Sequence, residues 1–211
     1  MISEYTKEDV SNILYVINNA ALKYKGAIPD DCWHEPYMSE QELLNEFDSG
    51  VRMFGYEKDN VLVGVMGIQE LKGATLIRHA YTCSAYQGKG IGRLLLQHLF
   101  KINKSSILYV GTWQDATWAI RFYMKNGFVL HTRKQTNLLL ERYWQVPLKQ
   151  VENSVVLEKQ VYQSNPLLKA VGDPIRDVYR NYDAELQNGV PQIVRSAQHP
   201  LTIKVTHGPR P

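Results

Sequence analysis

Residues 87–92 have the composition and spacing of a loop that binds an anion. They read Gln-Gly-Lys-Gly-Ile-Gly, and three alternating glycines let the backbone turn sharply and bring its N–H groups against a ligand. Apolar residues at helical spacing follow at once, at Ile91, Leu94, Leu95, Leu99 and Ile102. The glycines therefore precede a predicted helix, whose free N–H groups and dipole attract anions. We expect a pyrophosphate there, with Lys89 and Arg93 adding positive charge.

Two well-known glycine loops do not fit this stretch. A dinucleotide-binding fingerprint needs a third glycine where Arg93 stands, and a nucleotide-triphosphatase loop needs serine or threonine where Gly90 stands. The pattern that remains is Gln-x-x-Gly-x-Gly. A second segment follows at residues 119–128, with the sequence Ala-Ile-Arg-Phe-Tyr-Met-Lys-Asn-Gly-Phe. The two segments in this order are more specific than either one alone.

Together the two segments resemble the GNAT superfamily of acetyl-CoA-dependent N-acetyltransferases. The first is similar to its acyl-CoA pyrophosphate loop, Gln/Arg-x-x-Gly-x-Gly/Ala, and the second to its Ala-x-x-Phe-Tyr-x-Lys-x-Gly-Phe segment. The resemblance covers residues 1 to about 160 and implies acetyl-CoA as co-substrate. It also implies a strand edge at residues 81–83 that pairs with the pantetheine arm. The expected cofactor-binding residues are Tyr81, Thr82, Cys83, Gln87, Gly88, Lys89, Gly90, Ile91, Gly92 and Arg93.

The resemblance makes Tyr123 the expected catalytic acid. When an amine attacks a thioester, negative charge reaches the departing sulfur, and a nearby phenol can donate the proton that makes it a thiol. A strand N–H near Thr82 would stabilise the charge on the carbonyl oxygen. The alternative for Tyr123 is a ring packed in the core. Cys83 is expected to be a small strand residue, because direct transfer needs no acyl-enzyme.

The group that accepts the proton of the amine is left open by the sequence. Many relatives use a carboxylate on the third strand of the meander, but residues 76–82 read Leu-Ile-Arg-His-Ala-Tyr-Thr and contain none. His79, Glu35, His34 and a chain of ordered water are the alternatives. We take His79 and Glu35 as the candidate catalytic residues beside Tyr123.

Residues 27–38 form a predicted loop that is rich in proline, aromatic and titratable residues. In the fold that the resemblance implies, this loop covers the acceptor side, and aromatic rings suit the cation and apolar body of an amine. The candidate substrate-binding residues are Trp33, His34, Tyr37 and, from a later strand, Trp113. The alternative is a rigid capping loop. Ala116 replaces an asparagine that is common in the family, which removes one polar contact to the pantetheine arm.

The pattern of elements predicts an α+β fold. A strand at residues 1–5 and two helices with capping boxes, at Thr6 with Asp9 and at Ser39 with Glu42, precede three antiparallel strands over residues 51–82. Further predicted elements are the helix after the glycine loop, a strand at 107–112, a helix capped by Asp115, and strands at 128–132 and 154–157. Residues 141–150 stay ambiguous. About seven strands, mostly antiparallel, and four helices resemble the GNAT fold, whose splayed strands hold acyl-CoA.

Length and composition bound the other possibilities. The chain has 211 residues, 44% of them hydrophobic and 21% charged, which fits one domain with an extension. We expect the acetyltransferase-like domain over residues 1–160 and an irregular extension over 161–211, with a short helix at 174–187. A net charge of +3 does not indicate nucleic acid, and the two cysteines lack metal-ligand spacing, so no metal is expected. The lack of a signal peptide or membrane span predicts a cytoplasmic protein.

Two functions from different classes remain. The first is transfer of the acetyl group of acetyl-CoA to a primary amine, by direct attack in a ternary complex. A small-molecule acceptor is favoured over a protein, because the aromatic loop suggests a compact ligand, and the prediction includes no nucleic acid or membrane partner but allows a homodimer. The alternative is an inactive acyl-CoA-binding sensor or partner-binding module. Tyr123 favours the enzyme, whereas the missing carboxylate and asparagine favour the alternative.

Overall fold

Seven strands form one sheet in the computed structural model, which describes residues 1–144 and 146–161. The strands are β1 (Ile2–Tyr5), β2 (Arg52–Lys58), β3 (Val61–Leu71), β4 (Ala74–Thr82), β5 (Ile107–Trp113), β6 (Val129–Leu130) and β7 (Ser154–Gln160). Their order across the sheet is β1-β2-β3-β4-β5-β7-β6, and only β4 and β5 pair in parallel. This sheet confirms the predicted fold class.

Six α-helices accompany the sheet in the described part of the chain. They are α1 (Val10–Ala21), α2 (Glu40–Asp48), α3 (Ile91–Ile102), α4 (Thr117–Lys125), α5 (Arg133–Tyr143) and α6 (Leu148–Glu152). Strand residues alternate between the two faces, so Val65 packs with α1 and α2, whereas its neighbour Met66 packs with α3. The core is therefore a layer of helices on each side of the sheet.

Strands β4 and β5 diverge after a short stretch of pairing. Their parallel register joins Thr75 to Ile77 with Leu108 to Val110, and β4 then continues to Thr82 without β5 beside it. A bulge also interrupts β4 where it pairs with β3, between the partners of Val65 and Gly67. His79 lies in this bulge with φ of 48°. The result is a gap between the two strands, as the resemblance implies.

Several local predictions are confirmed by the structure. The capping box of Thr6 and Asp9 is present and opens a 3-10 turn that leads into α1, and the box of Ser39 and Glu42 caps α2. The predicted antiparallel strands are present, and the turn between β2 and β3 contains Asp59 and Asn60, both with positive φ. Gly127 ends α4 in the left-handed conformation, with φ of 82°.

Other local predictions were wrong. The N-cap of α4 is Ala116, and no side chain caps that helix, so Asp115 does not have the predicted role. The strand expected over residues 128–132 is reduced to Val129–Leu130, because Thr132 and Gln135 form a capping box that begins α5. Four helices were predicted, and the described residues contain six; α5 and α6 are the two that were not predicted.

Two sequence predictions concern the domain boundary and the C-terminal extension. The sheet closes with β7 at Gln160, but the division into residues 1–160 and 161–211 stays a prediction, and the helix expected over 174–187 lies outside the described residues. Over the described ranges, no helix combines the length and apolar character needed to cross a membrane.

Candidate active site

The glycine loop has the open backbone that an anion site requires. Gly88 and Gly90 have φ of 74° and 82°, a conformation that residues with a Cβ rarely adopt. A Cβ added at either glycine would meet nothing within 4 Å, so the space over the loop is free. Gly90 is the N-cap of α3, and no side chain caps that helix. The first N–H groups of α3 are thus available for phosphate oxygens.

The side chains around this loop fasten it to its neighbours. Gln87 donates from Nε2 to the Thr82 carbonyl (3.1 Å) and accepts from Lys23 Nζ at the end of α1 (3.1 Å). Lys89 donates to the Ala85 carbonyl (2.9 Å), and Arg93 is exposed. Ile91 is buried under the loop. The contact of Lys23 with Gln87 was not predicted from the sequence, because it depends on packing between distant segments.

The strand edge predicted for the pantetheine arm lies on β4 beyond its last partner in β5. The Cys83 N–H donates to the Val63 carbonyl (2.9 Å), toward β3. Because successive backbone groups alternate sides, Thr82 directs its N–H toward the gap, while its carbonyl accepts from Gln87. Cys83 is buried, and burial raises the pKa of its thiol, which makes it a poor nucleophile.

A cavity of about 170 Å³ lies where β4 and β5 diverge. It brings together five of the predicted site residues: His79, Tyr81, Tyr123, Tyr37 and, at the end of β5, Trp113. Tyr24 and Trp144 are further aromatic residues of its lining. The cavity therefore joins the predicted catalytic tyrosine to an aromatic wall.

Tyr123 is held in the core with its hydroxyl free. The residue is 4% exposed, and its ring makes edge contacts with Phe122 and Phe128. No hydrogen bond joins its hydroxyl to another group within the described ranges. Burial, with a smaller effect from Tyr24, raises the pKa of Tyr123 far above its ordinary value. The phenol therefore keeps its proton at neutral pH and can act as a donor.

His79 lies against a carboxylate that was missed from the sequence. Its Nε2 is 2.9 Å from Glu46 Oε2, and Arg78 Nη2 donates to both oxygens of Glu46 at 2.6 Å. Burial raises the pKa of Glu46, but His79 and Arg78 outweigh it, and the net pKa is lowered. Glu46 is thus an ionised carboxylate held beside β4. Glu46 lies on α2 and belongs to no sequence motif, so the sequence did not indicate a role in the site.

The other predicted polar residues of the loop at 27–38 lie apart from the cavity lining. Glu35 is exposed, pairs with Lys25 (2.8 Å) and accepts from Trp33 Nε1 (3.1 Å). The hydrogen bond from Lys25, followed by that from Trp33, lowers the pKa of Glu35. His34 is exposed, with Nδ1 2.7 Å from the Pro36 carbonyl. The Trp33 and His34 rings both stack on Tyr37, so they contact the cavity lining through Tyr37 and are not part of it.

The far side of the cavity comes from elements that the sequence did not resolve. Leu140 and Trp144 line it from the end of α5, and Val146 and Gln150 from the segment that leads through α6. An ion pair between Lys149 and Asp31 joins α6 to the loop at 27–38. The run of leucines in α5 was the available signal, but it matched no motif. Among the described residues, no three His, Cys, Asp or Glu side chains are grouped as a metal site needs.

Comparisons with known proteins agree with this geometry. Residues 49–130 match the family model described as an acetyltransferase (GNAT) domain. No protein with a curated description matches the sequence. The match and the fold confirm the resemblance to the GNAT superfamily.

Solved structures with the same fold are distant in sequence. PaiA N-acetyltransferase from Thermoplasma acidophilum, in complex with coenzyme A, is 21% identical, with a TM-score of 0.59 over 76% of this chain and 98% of its own. Ribosomal-protein-alanine N-acetyltransferase from Brucella melitensis is 18% identical, with a TM-score of 0.55 over 76% and 99%. The ribosomal-protein-S18-alanine enzyme from Escherichia coli is 16% identical, with a TM-score of 0.56 over 78% and 97%. At these identities the likeness establishes the fold alone.

Proposed function

We propose that the protein is an N-acetyltransferase that moves the acetyl group of acetyl-CoA to a primary amine of a small molecule, by direct attack in a ternary complex. One observation carries this proposal: Tyr123 lines the cavity where β4 and β5 diverge, and the chain runs from the end of β4 into the open glycine loop at the start of α3. The family match over residues 49–130 supports the same reaction class.

The residues around the gap fit acetyl-CoA. The N–H groups of residues 88–92 would hold its pyrophosphate, and the unpaired edge at Tyr81 to Cys83 would receive its pantetheine arm as an added strand. Lys89 and Arg93 would add positive charge near the phosphates. When bound, acetyl-CoA supplies an acetyl group that is activated as a thioester.

The residues of the cavity divide the proton chemistry between them. Tyr123 holds a proton at its hydroxyl oxygen, available to a departing sulfur. His79 is the candidate acceptor for the proton of the amine, because it lines the same cavity as Tyr123, whereas Glu35 is exposed and ion-paired outside the lining. The Thr82 N–H is available to a developing oxyanion.

The size and lining of the cavity favour a compact acceptor. Rings of Tyr24, Tyr37 and Tyr81 meet edge to face, with centroids 6.1 Å apart for Tyr24 with Tyr81 and for Tyr37 with Tyr81. Such walls suit an ammonium group on a small apolar body. Two of the similar structures are named as ribosomal-protein-alanine N-acetyltransferases, so peptide acceptors belong in the test as rivals.

A screen of primary amines, amino acids and short peptides for thiol release from acetyl-CoA tests this proposal. Calorimetric titration with coenzyme A is run beside it. Turnover with small amines, and none with peptides, is the expected result. Coenzyme A binding without turnover on any acceptor would favour the inactive sensor, and a protein that does not bind coenzyme A would refute both functions.

A further inference from the structure

Glu46, Arg78 and Gln69 form a partly buried polar network beside the cavity. The Glu46 side chain is 22% exposed, and both its oxygens accept from Arg78. Arg78 also donates from Nη1 to Gln69 Oε1 (3.1 Å), and Gln69 donates to the Ser49 carbonyl after α2 (2.9 Å). This chain of hydrogen bonds fixes the carboxylate relative to β4.

His79 is presented to this carboxylate by an unfavourable backbone conformation. A positive φ is uncommon and unfavourable for residues other than glycine, so the surrounding structure must maintain it. Bulges of this kind redirect a side chain, and they occur often beside active sites. The His79 side chain is 12% exposed. Its Nε2 is buried, lies 2.9 Å from Glu46 Oε2 as an ion-pair contact, and has no aligned hydrogen bond among the described residues.

We propose that Glu46 is a positioning residue that keeps His79 in the tautomer with hydrogen on Nε2, so that Nδ1 carries the lone pair that receives the proton of the acceptor amine. This inference rests on the proposed function and deepens it. A buried ring nitrogen beside an ionised carboxylate is favoured as a donor. The other nitrogen is then the base, as in other histidines that a carboxylate orients.

The proton balance of this arrangement is complete. An acceptor that arrives as an ammonium group first releases one proton to solvent. The neutral amine nitrogen then forms a bond to the acetyl carbon, and the bond from that carbon to sulfur breaks. One proton passes from the amine to His79 Nδ1, and one from Tyr123 to sulfur. Glu46 gains no proton in this sequence, because Arg78 holds its carboxylate ionised. Solvent restores Tyr123 and His79 to their starting states.

The charges that face His79 come from two elements. Glu46 is contributed by α2, with Glu42 one helical turn before it, and Arg78 by β4. Burial raises the pKa of Tyr24, Tyr81 and Tyr123 in the cavity lining, so these phenols are neutral at physiological pH. Arg78 therefore balances Glu46, and the carboxylate of Glu42 accepts hydrogen bonds from Ser39 at the start of α2.

Long-range proton–nitrogen NMR spectra of the full chain test the tautomer without any turnover. At about pH 9, where histidine rings are neutral, the His79 signals are identified by their loss in His79→Gln. We expect a protonated Nε2 and an unprotonated Nδ1 in the wild type, and a mixture of tautomers in Glu46→Gln. Glu40→Gln, an exposed change on the same helix, is the control and should leave the tautomer unaltered.

Kinetics of the same variants test the role in transfer, with the best small amine from the screen. Glu46→Gln should lower kcat by about 10²-fold, the scale of general-base catalysis, with KM for acetyl-CoA nearly unchanged. The double change Glu46→Gln with His79→Gln should cost no more than His79→Gln alone, because the two residues act as a unit. Glu46→Asp, which keeps the charge, should recover part of the loss.

Three results would overturn the proposal: hydrogen on Nδ1 in the wild type, an unchanged tautomer in Glu46→Gln, or unchanged kcat in that variant. If Glu46→Gln does not fold, the wild-type tautomer and the kinetics of Glu46→Asp still decide. A wild-type protein that acetylates no amine refutes the proposed function and the catalytic part of this inference with it. The NMR result still reports separately whether Glu46 orients His79.

Discussion

Replacing Tyr123 with phenylalanine should lower kcat and leave the free energy of unfolding nearly unchanged. The change removes one hydroxyl, which lines the cavity and makes no hydrogen bond to any group in residues 1–144 or 146–161. The ring contacts with Phe122 and Phe128 are retained. The free energy of unfolding should therefore change by less than the ~1 kcal/mol of a typical hydrogen bond.

The effect on catalysis should be much larger than the effect on stability. Loss of a general acid costs about 10²-fold in kcat or more, which is roughly 2.7 kcal/mol in the activation free energy. Because burial raises the pKa of Tyr123 far above the neutral range, the phenol stays protonated, and its contribution should be constant up to about pH 10. The ratio of wild-type to variant kcat should therefore not vary between pH 6 and pH 9.

Thiol release under chemistry-limited conditions measures kcat, and calorimetry measures coenzyme A affinity, which should be nearly unchanged. Tyr109→Phe is the matched control, since Tyr109 is also buried but does not line the cavity. Equal kcat for wild type and Tyr123→Phe would remove this residue from the mechanism. A ratio that falls steeply with rising pH would instead show that the phenol ionises in the working range.

Three further predictions concern the loop, the network and the chain end. Gly92→Asp should abolish coenzyme A binding by charge repulsion while Gly92→Ala binds, because a Cβ there meets only the Phe122 ring at 3.5 Å; equal titrations would refute the placement. Glu46 has a lowered pKa in the folded state, so its stabilisation is present above the ordinary pKa of 4.5 and is lost as pH falls through the folded value. The difference in unfolding free energy between wild type and Glu46→Gln should be about 2 kcal/mol at pH 7 and shrink toward pH 3 in chemical denaturation; a constant difference would contradict this. A chain that ends at residue 161 should unfold cooperatively and bind coenzyme A; loss of cooperative unfolding would place the extension in the core, and loss of a dimer alone would make it an assembly segment.

Local signals explain what could be predicted of the fold. The capping boxes at Thr6 and Ser39 and the turn glycines act within a few residues, so the sequence displays them directly. Helix α5 was missed because its run of leucines is split, with Leu140 3% exposed and Leu138 58% exposed. Such a run carries no clear period, and its capping box lies where a strand was expected.

The candidate site was predictable only where a motif marked it. The glycine loop and Tyr123 belong to short patterns with fixed spacing, whereas Glu46 and Arg78 are separated by 32 positions and meet only after α2 packs against β4. The bulge that directs His79 toward Glu46 could not be predicted from the sequence either, because a positive φ is uncommon even for histidine. The assignments of the individual site residues stay predictions for the experiments above.

The parallel pairing of β4 with β5 has a consequence for the cohesion of the sheet. Strands β1 to β4 form a meander of antiparallel neighbours, and β5 to β7 form a second group, with three registered pairs between the two groups. Within the meander, β2, β3 and β4 pair across short turns, whereas β1 pairs with β2 from a distant part of the sequence. The contacts of β2 to β4 are therefore close in sequence, which favours these strands as an early and separately cooperative unit of folding. A strand-like ligand in the gap would add backbone hydrogen bonds along this seam. Ligand binding would then make the two groups of strands unfold cooperatively. The rates of amide hydrogen exchange at the ends of β4 and β5 would fall together.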